Sequence, residues 1–281
     1  MVDAPLRRDD LIEAAGRRLR EAGASEPRRE ARRIWTDLRP ASHDPVVSTT
    51  VAPDVAARYD AAVERRAAGE PLAYVTGWTG FRHLTLASDG RALIPRPETE
   101  GLVEAALARA RCGVAADVGT GTGAIALSLA HEGSFIRVIG TDLSADALAL
   151  ARSNGEATGL AVDWRLGDLL APLAGERLDL LVSNPPYLTA DEYAGLDASV
   201  RDYEPALALA SGVDGLDATR RLLDGAPALM ANDGWLAMEI DSRRGAASAA
   251  CAAAAGWSDV IVQDDLFGRA RYLLARHRRP E

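Results

Sequence analysis

A chain of 281 residues with 48% hydrophobic content is long enough for two modest domains or one large one around a real core, as expected of a soluble globular protein. Its formal net charge of −9 argues against a protein that coats DNA or RNA non-specifically, and the lack of lysine, which makes all 32 cationic side chains arginine, reflects genome composition more than chemistry. Cys112 and Cys251 stand far apart without CxxC or Cys/His spacing, which argues against a disulfide framework or a zinc site and for buried free thiols in a cytosolic protein.

Met1 to Asp10 is charged and carries no apolar leader core, and no later stretch reaches the roughly 18 apolar residues of a membrane helix, so a cytoplasmic protein off the membrane is expected. Asp9 or Asp10 can cap a helix in which Leu11, Ile12, Ala15 and Leu19 share a face and which ends near Gly23. A second helix starts with Pro27 in its first turn and aligns Ala31, Ile34, Trp35 and Leu38, while Val55, Tyr59, Ala62 and Val63 mark a third, from Asp54 to Gly69. Residues 1–72 thus read as a small helical domain. The pairs Arg28/Arg29, Arg32/Arg33 and Arg65/Arg66 fall mostly on the opposite faces and read as solvated surface, with docking of an acidic or RNA-bound partner as the alternative.

Between Glu70 and Glu100 the pattern changes. Gly77, Gly80 and Gly90 with alternating Phe81, Leu84 and Leu86 indicate a short β-hairpin, expected as a linker over residues 73–95. Then comes Leu93-Ile94-Pro95-Arg96-Pro97-Glu98-Thr99-Glu100, in which Arg96 is held extended between two prolines and Glu98 and Glu100 open a helix carrying Leu102, Val103, Ala106 and Leu107. Arg96 and Glu98 are candidates for lining the mouth of an active site; for the acids, simple pairing with the helix dipole is the alternative.

From residue 114 apolar strands alternate with amphipathic helices, which predicts a doubly wound parallel sheet. The first strand, Val114 to Val118, runs into Gly119-Thr120-Gly121-Thr122-Gly123-Ala124 and a helix bearing Ile125, Leu127 and Leu129. Alternate glycines let the backbone turn sharply and approach a ligand, with the helix N-terminus favouring a negative group. The spacing fits the dinucleotide fingerprint too, so the loop alone leaves NAD and other adenosine cofactors open. Asp142, after a strand at Ile136 to Gly140, can accept from both hydroxyls of a ribose, or cap the helix begun at Ser144. Asp168, after a strand around Val162 to Leu166, can accept from an adenine amino group with Leu169 against the ring, although a turn would explain Gly167-Asp168 nearly as well.

The most specific stretch is Leu180-Leu181-Val182-Ser183-Asn184-Pro185-Pro186-Tyr187. Its apolar run reads as a buried parallel strand, and ligands bind beyond the carboxyl ends of such strands. The two prolines stiffen the turn and leave its carbonyls free to accept. The side-chain carbonyl of Asn184 and the backbone carbonyl of Pro185 form a pair of acceptors suited to one planar NH2 group, on which Tyr187 can stack. Beyond a fifth strand, Trp235 to Ile240, Glu239 reads as a polar strand terminus more than a site residue. A helix, Ala246 to Ala255, and a closing strand pair, Val260 to Val262 and Tyr272 to Ala275, complete the chain. His43, His83, His131 and His277 are scattered without ligand spacing, so no metal site is expected; Tyr193 and Tyr203 read as packing residues, with a place at the cavity mouth as the alternative.

Leu93-Ile-Pro-Arg-Pro-Glu-Thr-Glu100, Gly119-Thr-Gly-Thr-Gly123 and Asn184-Pro-Pro-Tyr187 together resemble the HemK/PrmC family, the release-factor glutamine N5-methyltransferases, and Asp117-x-Gly119-x-Gly121-x-Gly123 with Asp142 resembles the cofactor loop of class I S-adenosylmethionine methyltransferases. The likeness runs from about Glu70 to the C-terminus, and the helical N-terminal domain has the matching length and character. It implies an α/β, Rossmann-like seven-stranded sheet with an antiparallel last strand over 96–281, and a substrate-recognition role for 1–72. It implies that Gly119, Thr120, Gly121, Thr122, Gly123, Asp142, Leu169 and Asn184 contact S-adenosylmethionine, joined by Asp168. Asn184, Pro185, Pro186 and Tyr187, with Arg96 and Glu98 beside them, would hold the glutamine of the Gly-Gly-Gln motif in peptide chain release factors, with Asn184, Pro185 and Tyr187 carrying the catalysis. The implied partner is the release factor, met by a monomer that binds no nucleic acid stably. One departure stands out: Asp241-Ser242-Arg243-Arg244-Gly245 follows Glu239 where the family commonly has x-Gly, which puts any substrate contact from this loop in doubt. The closest rival is an adenine N6-methyltransferase acting on DNA or RNA, which would grip an equally planar amino group but would normally carry a basic groove and a target-reading domain. A nicotinamide oxidoreductase lacks an obvious proton donor near the fourth strand, and a non-catalytic adaptor would be expected to have a damaged cofactor loop.

Overall fold

The apolar spacing of the first seventy residues produces α1 (Arg8–Glu21), α2 (Pro27–Leu38) and α3 (Pro53–Ala67), followed by a short α4 (Leu72–Thr76). The computed structural model describes residues 6–38 and 50–278. Pro27 and Pro53 open their helices, where a missing N–H costs nothing. Leu19, Ile34, Trp35, Tyr59 and Val63 fill the core between them, and the Tyr59 hydroxyl donates to the Ala31 carbonyl at 3.0 Å. Asp9 and Asp10 stand in the first turn of α1, next to the positive end of its dipole, and the cap position is Arg7. The arginine pairs divide: Arg28, Arg29 and Arg32 are exposed as expected, but Arg66 reaches the buried Glu30 at 2.7 Å and Arg33 lies 4.5 Å over the Trp78 ring. A guanidinium can cover apolar surface with its stem while its head stays paired, so part of the face read as solvated consists of internal staples. This unit takes the chain up to Trp78 together with Asp197–Tyr203, and the Tyr203 hydroxyl donates to the Ala68 carbonyl within it.

The larger unit, Thr79–Leu196 and the chain from Glu204 on, begins in the hairpin β1 (Trp78–Phe81) and β2 (Leu84–Ala87). It continues through α5 (Pro97–Leu107), β3 (Cys112–Val118), α6 (Ala124–Glu132), β4 (Ser134–Asp142), α7 (Ala145–Thr158), β5 (Asp163–Leu166), β6 (Leu178–Ser183) and α8 (Ala190–Ala194). After α9 (Ala198–Arg201), which lies in the smaller unit, come α10 (Asp217–Gly225), β7 (Met230–Glu239), α11 (Gly245–Ala254), β8 (Ser258–Asp264) and β9 (Ala270–Arg276). The seven-stranded sheet has the order β5-β4-β3-β6-β7-β9-β8 and is parallel except for β9, which runs antiparallel to both neighbours. Apolar residues cover both faces, Leu102, Leu127 and Leu180 on one and Leu181, Leu222 and Leu236 on the other. Burial on both sides explains why the strands read as continuous apolar runs.

Register does the placing. Val118 pairs with Thr141 and with Ser183, and Ser183 pairs with Met238. Gly119, Asp142, Asn184 and Glu239 therefore leave the sheet side by side, at the point between β3 and β6 where strand order reverses and a crevice opens.

The hairpin expected as a linker is a packed part of the larger unit: Phe81 and Leu86 lie in its core. Asn154 of α7, 2% exposed, fastens the hairpin to the glycine loop. Its amide accepts from the Ala87 N–H at 2.7 Å and donates to the carbonyls of Ala87 and Thr122. Both thiols are free as expected, but neither is buried: Cys112 at the start of β3 is exposed and Cys251 is half-buried. Asn154→Ala leaves three backbone groups without their partner and is expected to lower stability by about 2 kcal/mol, measured by urea unfolding; a loss under about 0.5 kcal/mol, the range of an ordinary surface substitution, would contradict this role.

Candidate active site

A cavity of about 390 Å³ opens at the carboxyl ends of β3, β4 and β6, within the size range of small-molecule sites. Gly119, Thr120, Gly121 and Thr122 form one wall, Asp142, Asp168 and Leu169 a second, and Asn184 and Pro186 the floor toward β6. The strap Leu93–Arg96 and Thr99 close it from the side of α5.

The glycine loop is shaped from below. Asp117, fully buried, accepts from the Thr120 hydroxyl at 2.6 Å and from the Ala126 N–H at 3.1 Å, while its other oxygen has no partner. Burial pushes this carboxyl up to about 7, against the pull of those hydrogen bonds. Gly119 has φ +75, and a Cβ there would meet nothing within 4 Å, so the bare backbone itself forms the wall. Gly123 does different work. It does not line the cavity, and a Cβ on it would come within 2.9 Å of Trp164, so it lets α6 start close against the sheet.

Asp142 holds the loop from the opposite side, accepting from the N–H groups of Gly121 and Ser144, both at 2.8 Å. It is not the helix cap: Ser144 caps α7 with its own side chain. Burial raises the Asp142 carboxyl above the usual range. Asp168 pairs with Arg221 of α10 at 2.6 Å, a partner that sequence alone did not indicate. Leu169 takes φ +47, a left-handed conformation of the kind that concentrates at ligand sites.

The corner after β6 carries the acceptors. The Asn184 amide nitrogen donates to Thr99 Oγ1 at 3.1 Å, and Thr99 Oγ1 donates to Glu239 Oε2 at 2.7 Å. Among the described residues nothing donates to Asn184 Oδ1 or to the Pro185 carbonyl. Pro185 is buried and Tyr187 half-buried behind the cavity wall rather than in it, and burial pushes the Tyr187 hydroxyl up to about 12, so it stays protonated. Glu239 is 2% exposed, a member of the buried network rather than the plain strand terminus the sequence suggested. Its carboxyl is pushed by burial up to about 7.

Arg96 has the expected extended backbone, φ −98 and ψ 148, and lines the cavity. Glu204, 4% exposed, holds it, accepting from the Arg96 guanidinium at 2.5 Å and from the Ile94 N–H at 3.0 Å. Glu98 lies off the cavity, and its carbonyl accepts from the Tyr272 hydroxyl. Glu100 is occupied by the Arg82 N–H. The loop that departs from the family pattern is a brace. Asp241 accepts from the Arg243 N–H and pairs with its side chain, and Arg244 joins Glu192 of α8 to the Asp214 carbonyl. Neither that loop nor Tyr193 nor Tyr203 lines the cavity. His43 lies outside the described residues. Among the described residues no group of His, Cys, Asp and Glu could hold a metal ion, and no helix is long and apolar enough to cross a membrane.

Comparison with known proteins identifies the family. Residues 98–198 match the model of the methyltransferase small domain, and residues 10–77 that of the PrmC N-terminal domain. The release factor glutamine methyltransferase of Cereibacter sphaeroides is 44% identical over 96% of this chain and 99% of its own; that of Moorella thermoacetica is 45% identical over 94% and 96%. Among solved structures, a methyltransferase from Pyrococcus furiosus superposes with a TM-score of 0.54 at 18% identity, covering 70% of this chain and 90% of that one, which speaks for the fold. The chain is an S-adenosylmethionine-dependent methyltransferase and belongs to the release factor glutamine methyltransferase family.

Proposed function

We propose that this enzyme methylates the side-chain amide nitrogen, N5, of the glutamine in a release factor's Gly-Gly-Gln motif, and that Asn184 Oδ1 and the Pro185 carbonyl hold that nitrogen. The observation that carries the reading is the pair of uncommitted acceptors on one stiff corner beside the glycine loop. An amide nitrogen is a poor nucleophile because its lone pair is delocalised into the carbonyl. S-adenosylmethionine, when bound, supplies a methyl group already activated by a sulfonium, so positioning has to provide much of the rate. Two acceptors that take both N–H bonds turn the lone-pair face of the nitrogen toward that methyl. They also gain strength as positive charge develops on nitrogen, which favours the transition state over the ground state. No strong base is needed, since an N-methylated, protonated amide is acidic enough to lose its proton to water.

The fit to the cofactor rests on Gly119, whose bare backbone forms the cavity wall, with Gly121 and Thr122 beside it; Asp142, which also lines the cavity, would accept from a ribose. Asp168 and Leu169 would flank the adenine, with Arg221 holding the Asp168 carboxylate in place. Tyr187 would steady the substrate glutamine, Arg96 and Pro186 would shape its approach, and the helical unit up to residue 72 would recognise the release factor. Relatives named for glutamine methylation match across 94–96% of the chain, so the nucleobase alternative is not favoured. The reading includes a cytoplasmic monomer that holds no nucleic acid stably, in keeping with the formal charge of −9.

Transfer of labelled methyl groups to purified release factor, to the same factor with its motif glutamine replaced, and to adenine-containing DNA tests the assignment. Label on the intact factor alone is expected, and label on DNA alone would reverse it. Asn184→Ala is expected to slow single-turnover methylation by roughly 10²–10³-fold, as when one preorganised partner of a transition state is removed. Cofactor affinity measured by calorimetry should weaken far less; equal losses would refute the division of roles. Tyr187→Ala should chiefly raise the KM for release factor, whereas Tyr187→Phe keeps the ring and should stay near the parent enzyme. A large KM rise in the Phe variant would show that the hydroxyl, not the ring, acts.

A further inference from the structure

The side-chain amide of asparagine has nearly the same shape when turned end for end, yet the two orientations present opposite hydrogen-bonding character. If Asn184 offered its NH2 to the cavity, donor would meet donor when a substrate amide arrived. Something must therefore set its polarity. Among the described residues the side chain has one hydrogen-bond partner, Thr99 Oγ1, 3.1 Å from Nδ2. A hydroxyl has a single proton to give, and that of Thr99 points to Glu239 Oε2 at 2.7 Å. With its proton committed, Thr99 Oγ1 has only lone pairs left for Asn184, so the NH2 must turn inward and Oδ1 outward. Thr99 and Glu239 are 4% and 2% exposed, which leaves little room for water to take either place.

We propose that Thr99 and Glu239 are positioning residues of the methyl-transfer site, a buried pair that fixes the polarity of the Asn184 amide so that its carbonyl oxygen faces the cavity; the proposal rests on the reading of Asn184 as an acceptor for the substrate glutamine. The three residues come from three elements, the first turn of α5, the end of β7 and the corner after β6. Register brings the last two together through the Ser183–Met238 pairing.

The pair works in this sense only while Glu239 is ionised. A protonated Glu239 can donate to Thr99 Oγ1, which frees the threonine proton for Asn184 Oδ1 and permits the reversed amide. The groups that act on Glu239 are Arg271 and Tyr272 of β9, Arg96 and Glu98 at the start of α5, and Tyr187 beyond β6. Burial is the strongest influence and favours the neutral acid up to about 7, opposed by the Thr99 hydrogen bond, Arg271 and Arg96. The turnover rate at saturating cofactor should therefore rise with pH through neutrality.

The test compares Thr99→Val, Thr99→Ser and Glu239→Gln with the parent enzyme for kcat, KM of release factor, cofactor affinity and the pH profile from about 6 to 8. Thr99→Val is nearly isosteric and should lower kcat by about tenfold, the effect of one lost hydrogen bond, with cofactor affinity within about threefold. Thr99→Ser restores the hydroxyl and should recover most of the rate. Glu239→Gln cannot ionise, so it should remove the rise of kcat with pH. Asp117 is also held up to about 7, and for that reason the profile is read as the difference between Glu239→Gln and the parent. A Thr99→Val enzyme with parental kcat, or a Glu239→Gln enzyme with the parental pH profile, overturns the proposal. Should Thr99→Val fail to fold, the Glu239→Gln profile still decides. If Asn184→Ala abolishes turnover while these variants behave as the parent, only the positioning pair is wrong; if Asn184→Ala is itself unimpaired, the acceptor reading has failed.

Discussion

A primary amide can be gripped by its nitrogen only where two acceptors converge and no donor intrudes, and the proposed reading of Asn184 rests on that requirement. Acceptors without partners are costly to keep in a protein interior, so they survive best at the rim of a cavity on a segment that cannot relax to satisfy them. Two prolines after a buried strand provide such a segment. Pro185 and Pro186 have no N–H to offer, and their fixed φ keeps the corner from folding back on its own carbonyls.

The rest of the larger unit holds that corner next to the glycine loop. Parallel pairing sets the depth at which each strand ends, and the Val118–Ser183 and Ser183–Met238 pairs bring the glycine loop, Asn184 and Glu239 to one level. Buried and half-buried carboxylates then fix the pieces that pairing cannot reach. Asp117 shapes the glycine loop from beneath, Asp142 holds it from the side, and Glu204 binds the Leu93–Arg96 strap to the cavity. Each accepts from at least one backbone N–H group, and Asp117 and Glu204 from a hydroxyl or a guanidinium as well, so their hydrogen bonds hold the site rigid. Methyl transfer to a weak nucleophile gains from this arrangement, because small errors in alignment cost large factors in rate.

Sequence reading reached the strands, the glycine loop and the Asn184 corner because each has a local signature: an apolar run, alternating glycines, paired prolines. Thr99, Glu239 and Glu204 were missed or set aside because their roles depend on partners 85 to 140 residues away along the chain. For Thr99 a signal was present. It lies three and four residues before Leu102 and Val103, on the inward stripe of α5, whereas the acids that drew attention, Glu98 and Glu100, flank that stripe. Glu239, too, ends a buried strand as Asn184 does, and a polar residue there could have been read in the same way. The arginine pairs show the opposite failure: composition suggested open surface, while Arg66 and Arg33 find Glu30 and Trp78 only once the helices pack.

The claim on which the account turns is a contact between one substrate nitrogen and two oxygens. A crystal structure of the enzyme with the demethylated cofactor and a release factor bearing its Gly-Gly-Gln motif would measure it directly. The account predicts the glutamine amide nitrogen about 3 Å from both Asn184 Oδ1 and the Pro185 carbonyl. A glutamine held by other groups, with Asn184 presenting its NH2 to the cavity, would contradict it.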